Sequence, residues 1–188
     1  MRHRIAQFLV LLPLVLFSTS GHSQAEVWTL WKQPGVHAIM RHASAPGFGD
    51  PEGFTLGNCK TQRNLSTAGR EEARALGKAI RSQGVQLTAI FSSQWCRCLD
   101  TAQELNLGKV QALPALNSFF QGRGSSADQT TALKEHLATL KPGDKVLYVT
   151  HQVNTTALTG VYPDSGEVVL FRSSPTGEIT VIGRLPSP

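Results

Sequence analysis

The sequence of 188 residues has no apolar stretch long enough to cross a membrane as a helix. Its main apolar run, 5–17, has 13 residues, whereas a transmembrane helix needs roughly 20. The sequence also lacks internal repeats, low-complexity tracts and Pro/Ser-rich linkers. These absences argue against a membrane-spanning protein and against several domains joined by linkers.

The N-terminal residues instead have the order of a secretory signal. Arg2 and Arg4 precede the apolar run, and small and polar residues follow it up to Ala25. Cleavage after Ala25 leaves 188 − 25 = 163 residues, which fits a single domain over 26–188. We therefore expect a bacterial periplasmic or secreted protein without stable membrane insertion. An uncleaved N-terminal anchor is the alternative.

Concentrated positive charge is also lacking. The net charge of +5 falls to 5 − 2 = +3 once Arg2 and Arg4 leave, because residues 1–25 hold no acidic residue. The remaining Lys and Arg residues are scattered along the chain, which argues against a nucleic-acid partner. A few arginines could still meet in one anion pocket.

Cysteines are few, and all three lie in the mature region. In an exported protein, Cys59, Cys96 and Cys98 suggest one disulfide and one free thiol. Cys96 and Cys98 are too close in sequence to pair easily, so Cys59 should pair with one of them, and we favour Cys96. A zinc site is the competing interpretation, but no CxxC or HxxxH spacing supports it.

Apolar patterning predicts strands that alternate with helices. The segments with strand patterns are 36–40, 87–91, 110–113, 145–150, 167–172 and 178–183. The segments with helical patterns are 26–33, 66–83, 94–106, 131–140 and 152–159. This alternation predicts an α/β sandwich with a mostly parallel sheet.

Two stretches between these elements are long and irregular, 44–63 and 117–130. Such loops are uncommon in a compact domain unless they are functional, so we expect both to line the entrance to a site. Their large aromatic residues either wall that entrance or simply pack beneath the loops. These residues are Phe48, Phe54, Phe119 and Phe120.

Cationic side chains follow three of the predicted strands. The first strand ends in Arg41 and His42, Arg97 lies about one helical turn after Ser92-Ser93 at the end of the second strand, and His151 follows the fourth. In parallel sheets, sites form where the carboxyl ends of the strands meet. Helices that start there also direct their N-terminal N–H groups to that edge. We therefore expect two histidines and two arginines in one pocket.

Such a pocket suits a phosphoryl group. Arginine presents a fixed fork of donors to phosphate oxygens. A neutral imidazole among arginines is a nucleophile that takes the phosphoryl group and later releases it to water. The arginines would lower its pKa and stabilise the transition-state charge. The other two histidines of the mature region, His37 in a strand and His136 in a polar helix, are interpreted as structural.

Four blocks of the sequence resemble, in order, motifs of the histidine phosphatase (phosphoglycerate mutase-like) superfamily. MRHA at 40–43 is similar to its Arg-His-Gly motif, with Ala43 in place of glycine. Residues 64–77 resemble its Leu-Ser/Thr-x-x-Gly-Arg helix start, 91–103 its Ser-Ser, Arg and Thr-Ala pattern, and 146–160 its second-histidine strand and helix. The resemblance implies a three-layer α/β/α sandwich with a mostly parallel central sheet.

The resemblance also implies roles for individual residues. His42 would be the nucleophile that accepts the phosphoryl group. Arg41, Arg97 and His151 would bind the phosphoryl oxygens. Arg63 resembles a position that supplies an extra arginine in some small members, although an exposed loop arginine is the alternative. The resemblance implies no metal and no organic cofactor.

The sequence departs from the family where a proton donor is expected. Many members carry a glutamate at the position of Ser118, and others carry an aspartate where Gln152 follows the second histidine. The leaving oxygen still needs a proton. We select Glu167 as the donor because the family fold would run its strand antiparallel, with Glu167 at the catalytic edge. Asp50 and Glu52 are the other candidates.

These features predict an exported phosphomonoesterase acting on a phosphorylated small molecule or glycan. Export removes the protein from glycolytic metabolites, which favours hydrolysis over mutase chemistry. One narrower alternative is a phosphatase for phosphorylated heptose of the lipopolysaccharide core, suggested by size, export and the histidine motifs. The other is a phosphate- or phospho-glycan-binding protein that has lost turnover, suggested by the missing glutamate.

Overall fold

The computed structural model describes residues 23–188. The predicted signal segment therefore lies almost wholly outside the described residues, and its cleavage stays a prediction. Within the described region, no helix has the length and apolar character needed to cross a membrane.

A single mixed sheet forms the centre of the molecule, with strands in the order β3-β2-β4-β1-β5-β6. Its strands are β1 (His37–Arg41), β2 (Ala89–Ser92), β3 (Val110–Ala112), β4 (Val146–Thr150), β5 (Val168–Ser173) and β6 (Ile179–Leu185). The four strands from β3 to β1 are mutually parallel. The other two, β5 and β6, run antiparallel. The predicted mostly parallel sheet is confirmed, as is the antiparallel strand after Glu167.

Helices cover both faces of this sheet. They are α1 (Gln24–Lys32), α2 (Thr67–Ser82), α3 (Cys96–Glu104), α4 (Ser126–Ala138) and α5 (Gln152–Thr159). Buried residues of α1, α2 and α3 share one core with one side of the strands. Residues of α4 and α5 form the second core on the opposite side. The predicted three-layer α/β/α sandwich is thus confirmed.

One helix boundary differs clearly from the sequence prediction. Helix α4 begins at Ser126, whereas its pattern placed the start at residue 131. The Ser125 side chain accepts a hydrogen bond from the Asp128 backbone N–H at 3.2 Å, and this cap stabilises a polar first turn. A polar turn carries no apolar periodicity, so the pattern alone could not reveal it.

The segment 44–63 is held to the rest of the fold by a disulfide between Cys59 and Cys96. This is the pairing favoured from the sequence. It ties the segment to the first residue of α3. Cys98, a buried residue of α3, is a free thiol, and burial raises its pKa to about 12. A neutral, buried thiol of this kind is chemically inert at ordinary pH.

Candidate active site

The strand order brings the two predicted site histidines side by side. Strand β4 lies between β1 and β2, with Arg41 paired to Thr150 in register. The backbone N–H of His42 donates to the Thr150 carbonyl at 2.8 Å. His42 and His151 therefore leave adjacent parallel strands at the same edge, and their ring centroids lie 5.6 Å apart.

The hydrogen bonds of His42 fix which ring nitrogen carries the proton. Its Nδ1 lies 2.8 Å from the carbonyl oxygen of Ala43, which can only accept, so Nδ1 is protonated. Its Nε2 then has a free lone pair and accepts from Arg97 Nε at 3.2 Å. Burial first, and then the charge of Arg97, lower the pKa of His42 to about 3. His42 is thus a neutral imidazole with Nε2 available as a nucleophile.

Every N–H of the Arg97 guanidinium has a partner within the protein. Both terminal nitrogens donate to Asp50, at 2.6 Å and 3.1 Å. The second hydrogen of Nη1 is directed at the Arg63 carbonyl at 3.3 Å, and Nη2 also approaches His151 Nδ1 at 3.4 Å. The contacts to His42 and His151 are the two that a phosphoryl oxygen could replace.

His151 has a complementary set of bonds. Its Nδ1 accepts from Arg97, so Nε2 carries the proton and donates to Ser93 Oγ at 3.0 Å. The Ser93 hydroxyl in turn donates to Asn117 Oδ1 at 3.3 Å. Burial, followed by the neighbouring cationic groups, lowers the pKa of His151 well below its ordinary value. This chain of bonds holds the ring in one orientation beside His42.

Arg41 and Arg63 complete the cationic surround. Arg41 Nη1 donates to the Pro163 carbonyl at 3.3 Å, while its Nε is buried and has no partner among the described residues. Arg63 donates to the carbonyls of Gly49 and Ala45. A buried donor without a partner is costly, so the orphaned Arg41 Nε–H is suited to an oxygen of a bound phosphoryl group.

These side chains face one cavity of about 200 Å³. All five predicted phosphate-pocket residues line it: Arg41, His42, Arg63, Arg97 and His151. Gln152 and Val153, at the start of α5, also line it, so the N-terminus of that helix faces the cavity. Three arginines, two neutral histidines and a helix N-terminus make this a site for an anion.

A sequence model described as the histidine phosphatase superfamily (branch 1) matches residues 38–131, which is half of the chain. The chain belongs to the histidine phosphatase superfamily. The prediction of a histidine phosphatase made from its motifs is thereby confirmed. No curated protein sequence matches the chain.

Solved structures share the fold at low sequence identity. A protein histidine phosphatase, SixA, in complex with tungstate is 18% identical, with 80% of this chain and 96% of that chain covered and a TM-score of 0.59. YhfR of Bacillus stearothermophilus is 19% identical, with 79% and 95% covered and a TM-score of 0.60. A mycobacterial glucosyl-3-phosphoglycerate phosphatase is 14% identical, with 81% and 99% covered and a TM-score of 0.57.

This histidine phosphatase carries no Asp or Glu among the described residues that line the cavity. Glu167 lies outside the lining and is held by Arg184 Nε at 2.6 Å and by the Asp164 backbone N–H at 2.8 Å. Asp50 is bound to Arg97, and Glu52 is exposed. Nothing in this geometry supports Glu167 as the proton donor, and its catalytic role stays a prediction.

Ser118 and Gln152 occupy the cavity wall where the family places acidic residues. Ser118 is buried, and its Oγ accepts from the Phe120 backbone N–H at 3.2 Å. The Gln152 amide donates to Thr156 at 2.9 Å. Both side chains are uncharged, and both already make hydrogen bonds within the protein. Among the described residues, no group of three or more His, Cys, Asp or Glu is arranged to hold a metal ion.

Some residues that build the histidine phosphatase site were missed from the sequence. The Thr101 hydroxyl accepts from the Ala43 backbone N–H at 3.0 Å and donates to the Arg97 carbonyl at 2.7 Å. It therefore connects α3 with the β1 loop, the segment that directly follows β1. The Thr-Ala step of the family motif was the available signal. Asp50 was named from the sequence only as a candidate proton donor, and its ion pair with Arg97 was not predicted.

Proposed function

We propose that this chain is an exported phosphomonoesterase that hydrolyses its substrate through a phosphohistidine on His42. The observation that carries the proposal is the state of its imidazole. Nδ1–H donates to the Ala43 carbonyl, and the low pKa of His42 leaves Nε2 unprotonated in a cavity lined by three arginines. A nucleophile with this setting can attack phosphorus without first losing a proton.

The reaction then takes two displacements. His42 Nε2 forms a bond to phosphorus, and the phosphorus–oxygen bond to the leaving group breaks, its electron pair departing with the oxygen. Water next attacks the phosphohistidine, and the nitrogen–phosphorus bond returns its pair to Nε2. Arg41, Arg63 and Arg97 balance the charge on the phosphoryl oxygens in both steps. The proton that the attacking water releases balances the proton that the leaving oxygen takes up.

The leaving oxygen would receive its proton from water. Ser118 and Gln152, the neutral residues at the family's acidic positions, cannot supply one. Substrates whose leaving oxygen is weakly basic, such as aryl phosphates, should therefore react faster than alkyl phosphates. A Glu167→Gln variant tests the sequence prediction for the donor, because a loss of activity confined to alkyl phosphates would support Glu167 as the proton donor.

The rim of the cavity favours a small molecule or a glycan as the substrate. Phe48 is 85% exposed and Tyr162 is 67% exposed, and both line the mouth of the cavity, where Phe48 packs edge-on against Phe120. Exposed aromatic rings beside an anion site suit a leaving group with an apolar face, such as a sugar ring. One fold neighbour is named for a phosphorylated glucosyl compound. Phosphorylated heptose remains a narrower alternative of the same class.

Export rests on the sequence of residues 1–25. The positively charged start, apolar middle and small residues before Glu26 support it. The disulfide between Cys59 and Cys96 is compatible with an oxidising compartment. We therefore propose that the enzyme acts in the periplasm or outside the cell.

A second candidate function is a phosphate-binding protein without turnover. The neutral cavity wall at Ser118 and Gln152 favours it, because binding needs no proton donor. Purified protein should distinguish the two. We expect hydrolysis of p-nitrophenyl phosphate, abolished in His42→Ala and retained in the matched control His136→Gln on α4. Calorimetric phosphate binding without hydrolysis between pH 4 and 8 would instead support the binding protein.

A further inference from the structure

Asp50 is a buried carboxylate next to the cavity but not among its lining residues. Its side chain and that of Arg97 are each 4% exposed. Besides Arg97, the carboxylate accepts from Trp95 Nε1 at 3.0 Å and from the Arg63 backbone N–H at 3.2 Å. Four donors thus converge on one side chain of the segment 44–63.

These bonds make Asp50 an acceptor rather than an acid. Burial alone would raise its pKa, but the hydrogen bonds and charge of Arg97 hold the pKa below its ordinary value. The carboxylate is therefore ionised and has no proton to give to a leaving group. The sequence-based suggestion of Asp50 as a general acid has no support here.

The same bonds fix the plane of the Arg97 guanidinium. Two oxygens of Asp50 hold the two terminal nitrogens in a bidentate fork, which specifies orientation as well as position. The second Nη1–H is directed at the Arg63 carbonyl. The remaining two donors, Nε–H and the second Nη2–H, reach His42 Nε2 and His151 Nδ1. Asp50 and the two histidines thus bind different edges of one guanidinium.

We propose that Asp50 is a positioning residue, which clamps Arg97 so that its Nε–H and Nη2–H point at the oxygens of the phosphoryl group in the transition state. On substrate binding, phosphoryl oxygens replace the two imidazole nitrogens as acceptors, while the fork to Asp50 stays closed. This inference rests on the proposed function, since it concerns the same reaction at His42.

Orientation explains this ion pair better than stability does. Removing two charges from water costs free energy that largely offsets their attraction, so buried pairs often add little net stability. A guanidinium misplaced by about 1 Å, in contrast, can cost on the order of 100-fold in rate. The loop position is itself secured, because the disulfide at Cys59 ties the segment to the residue before Arg97.

The test is a double-mutant cycle read out as kcat and KM for p-nitrophenyl phosphate and for an alkyl phosphate. Asp50→Asn keeps the shape but puts amide hydrogens against the donors of Arg97 and Trp95. We expect kcat to fall roughly 10- to 100-fold, with KM changed less than about threefold and equal losses for both substrates. In an Arg97→Ala background the same change should cost nothing further. Asp144→Asn, at the opposite end of β4, is the matched control.

The second variant, Asp50→Glu, distinguishes lost orientation from a folding defect. It keeps the ion pair with Arg97 but shifts the position of the guanidinium. Its kcat should lie between those of the parent and of Asp50→Asn. Unchanged kcat in either variant, or losses additive with Arg97→Ala, would overturn the inference, and loss for the alkyl substrate alone would make Asp50 a general acid instead. The proposed function fails only if the parent protein forms no phosphohistidine. A parent that forms phosphohistidine while the Asp50 variants keep full kcat would overturn the inference about Asp50 alone.

Discussion

At the scale of single residues, reactivity at His42 is set by what contacts each ring nitrogen. The Ala43 carbonyl holds the proton on Nδ1, and Arg97 Nε donates to Nε2. Burial is the main cause of the low pKa of the ring, and the arginines that would stabilise a phosphoryl group lower that pKa further. Burial and the charge that would bind the phosphoryl group thus both keep the nucleophile neutral.

This lowered pKa predicts an unusually acid-tolerant nucleophile. Protonated imidazole cannot attack, so activity is present above the pKa of His42 and lost as the pH falls through about 3. We expect kcat/KM, corrected for titration of the substrate phosphate, to show no loss near pH 6.5, where an exposed histidine titrates. A pH–rate profile checks this. A midpoint near 6.5 that NMR assigns to the His42 ring would contradict it.

Ser118 offers a gain-of-function prediction. A glutamate there would add a carboxyl group to the cavity wall, at the position where the family resemblance places one. Ser118→Glu should raise kcat/KM for an alkyl phosphate relative to an aryl phosphate by several-fold, because only the alkyl oxygen depends on a proton donor. Ser118→Gln has nearly the same size without the acid and should not raise this ratio. If Ser118→Glu and Ser118→Gln gave the same alkyl-to-aryl ratio of kcat/KM, the result would argue against water as the proton donor in the parent enzyme.

At the scale of elements, the close approach of α2 to the β1 loop holds the site together. Gly69 of α2 lies against the Ser44 backbone, where a Cβ atom would meet the Ser44 carbonyl oxygen. Arg70, the next residue, pairs with Asp100 and Glu104 of α3. The Gly-Arg step of the family motif thus has a structural explanation, since glycine permits the contact and arginine links the two helices.

Gly69→Ala should therefore destabilise the fold although alanine favours helix. Overpacking a tight contact costs roughly 1–3 kcal/mol, more than the gain of about 1 kcal/mol in helix propensity. Urea denaturation would measure the free energy of unfolding. Lys78→Ala, on the exposed face of α2, should leave it nearly unchanged. A Gly69→Ala protein as stable as the parent would show that α2 can retreat from the loop freely.

The elements also show how far sequence reasoning reaches. Strands such as β4 were predicted within a residue or two because their buried apolar runs are local in sequence. His42, Arg97 and His151 were found because parallel strands bring their ends to one edge. The Asp50–Arg97 pair was not found, since it joins residues 47 positions apart through an irregular loop. No periodicity encodes such a contact, and the choice of Glu167 as proton donor stays a prediction.

At the scale of the whole molecule, the domain is one sheet between two helical layers, and the site occupies one edge of that sheet. Its proposed compartment depends on residues before α1. Cleavage after Ala25 would remove Ser23, whose side chain caps α1, while the packing of Val27, Trp28 and Trp31 in the core would remain. The helix should therefore survive processing with a frayed first turn.

Export predicts a definite mature N-terminus. Full-length protein expressed in a Gram-negative host should appear in the periplasmic fraction, and its intact mass should correspond to a chain beginning at Glu26. Replacing Arg2 and Arg4 by glutamate should reduce export, because the positive start of the signal is lost. Full-length protein retained in the membrane fraction would instead support the uncleaved anchor.

The phosphohistidine itself is the most direct test of the proposed mechanism. Enzyme mixed with p-nitrophenyl phosphate and quenched under alkaline conditions should carry one acid-labile phosphoryl group, and peptide mass spectrometry should place it on His42. The adduct should form and decay at rates compatible with turnover, and it should be absent from His42→Ala. Turnover without any such adduct, or an adduct on His151 instead, would contradict the assignment of His42 as the nucleophile.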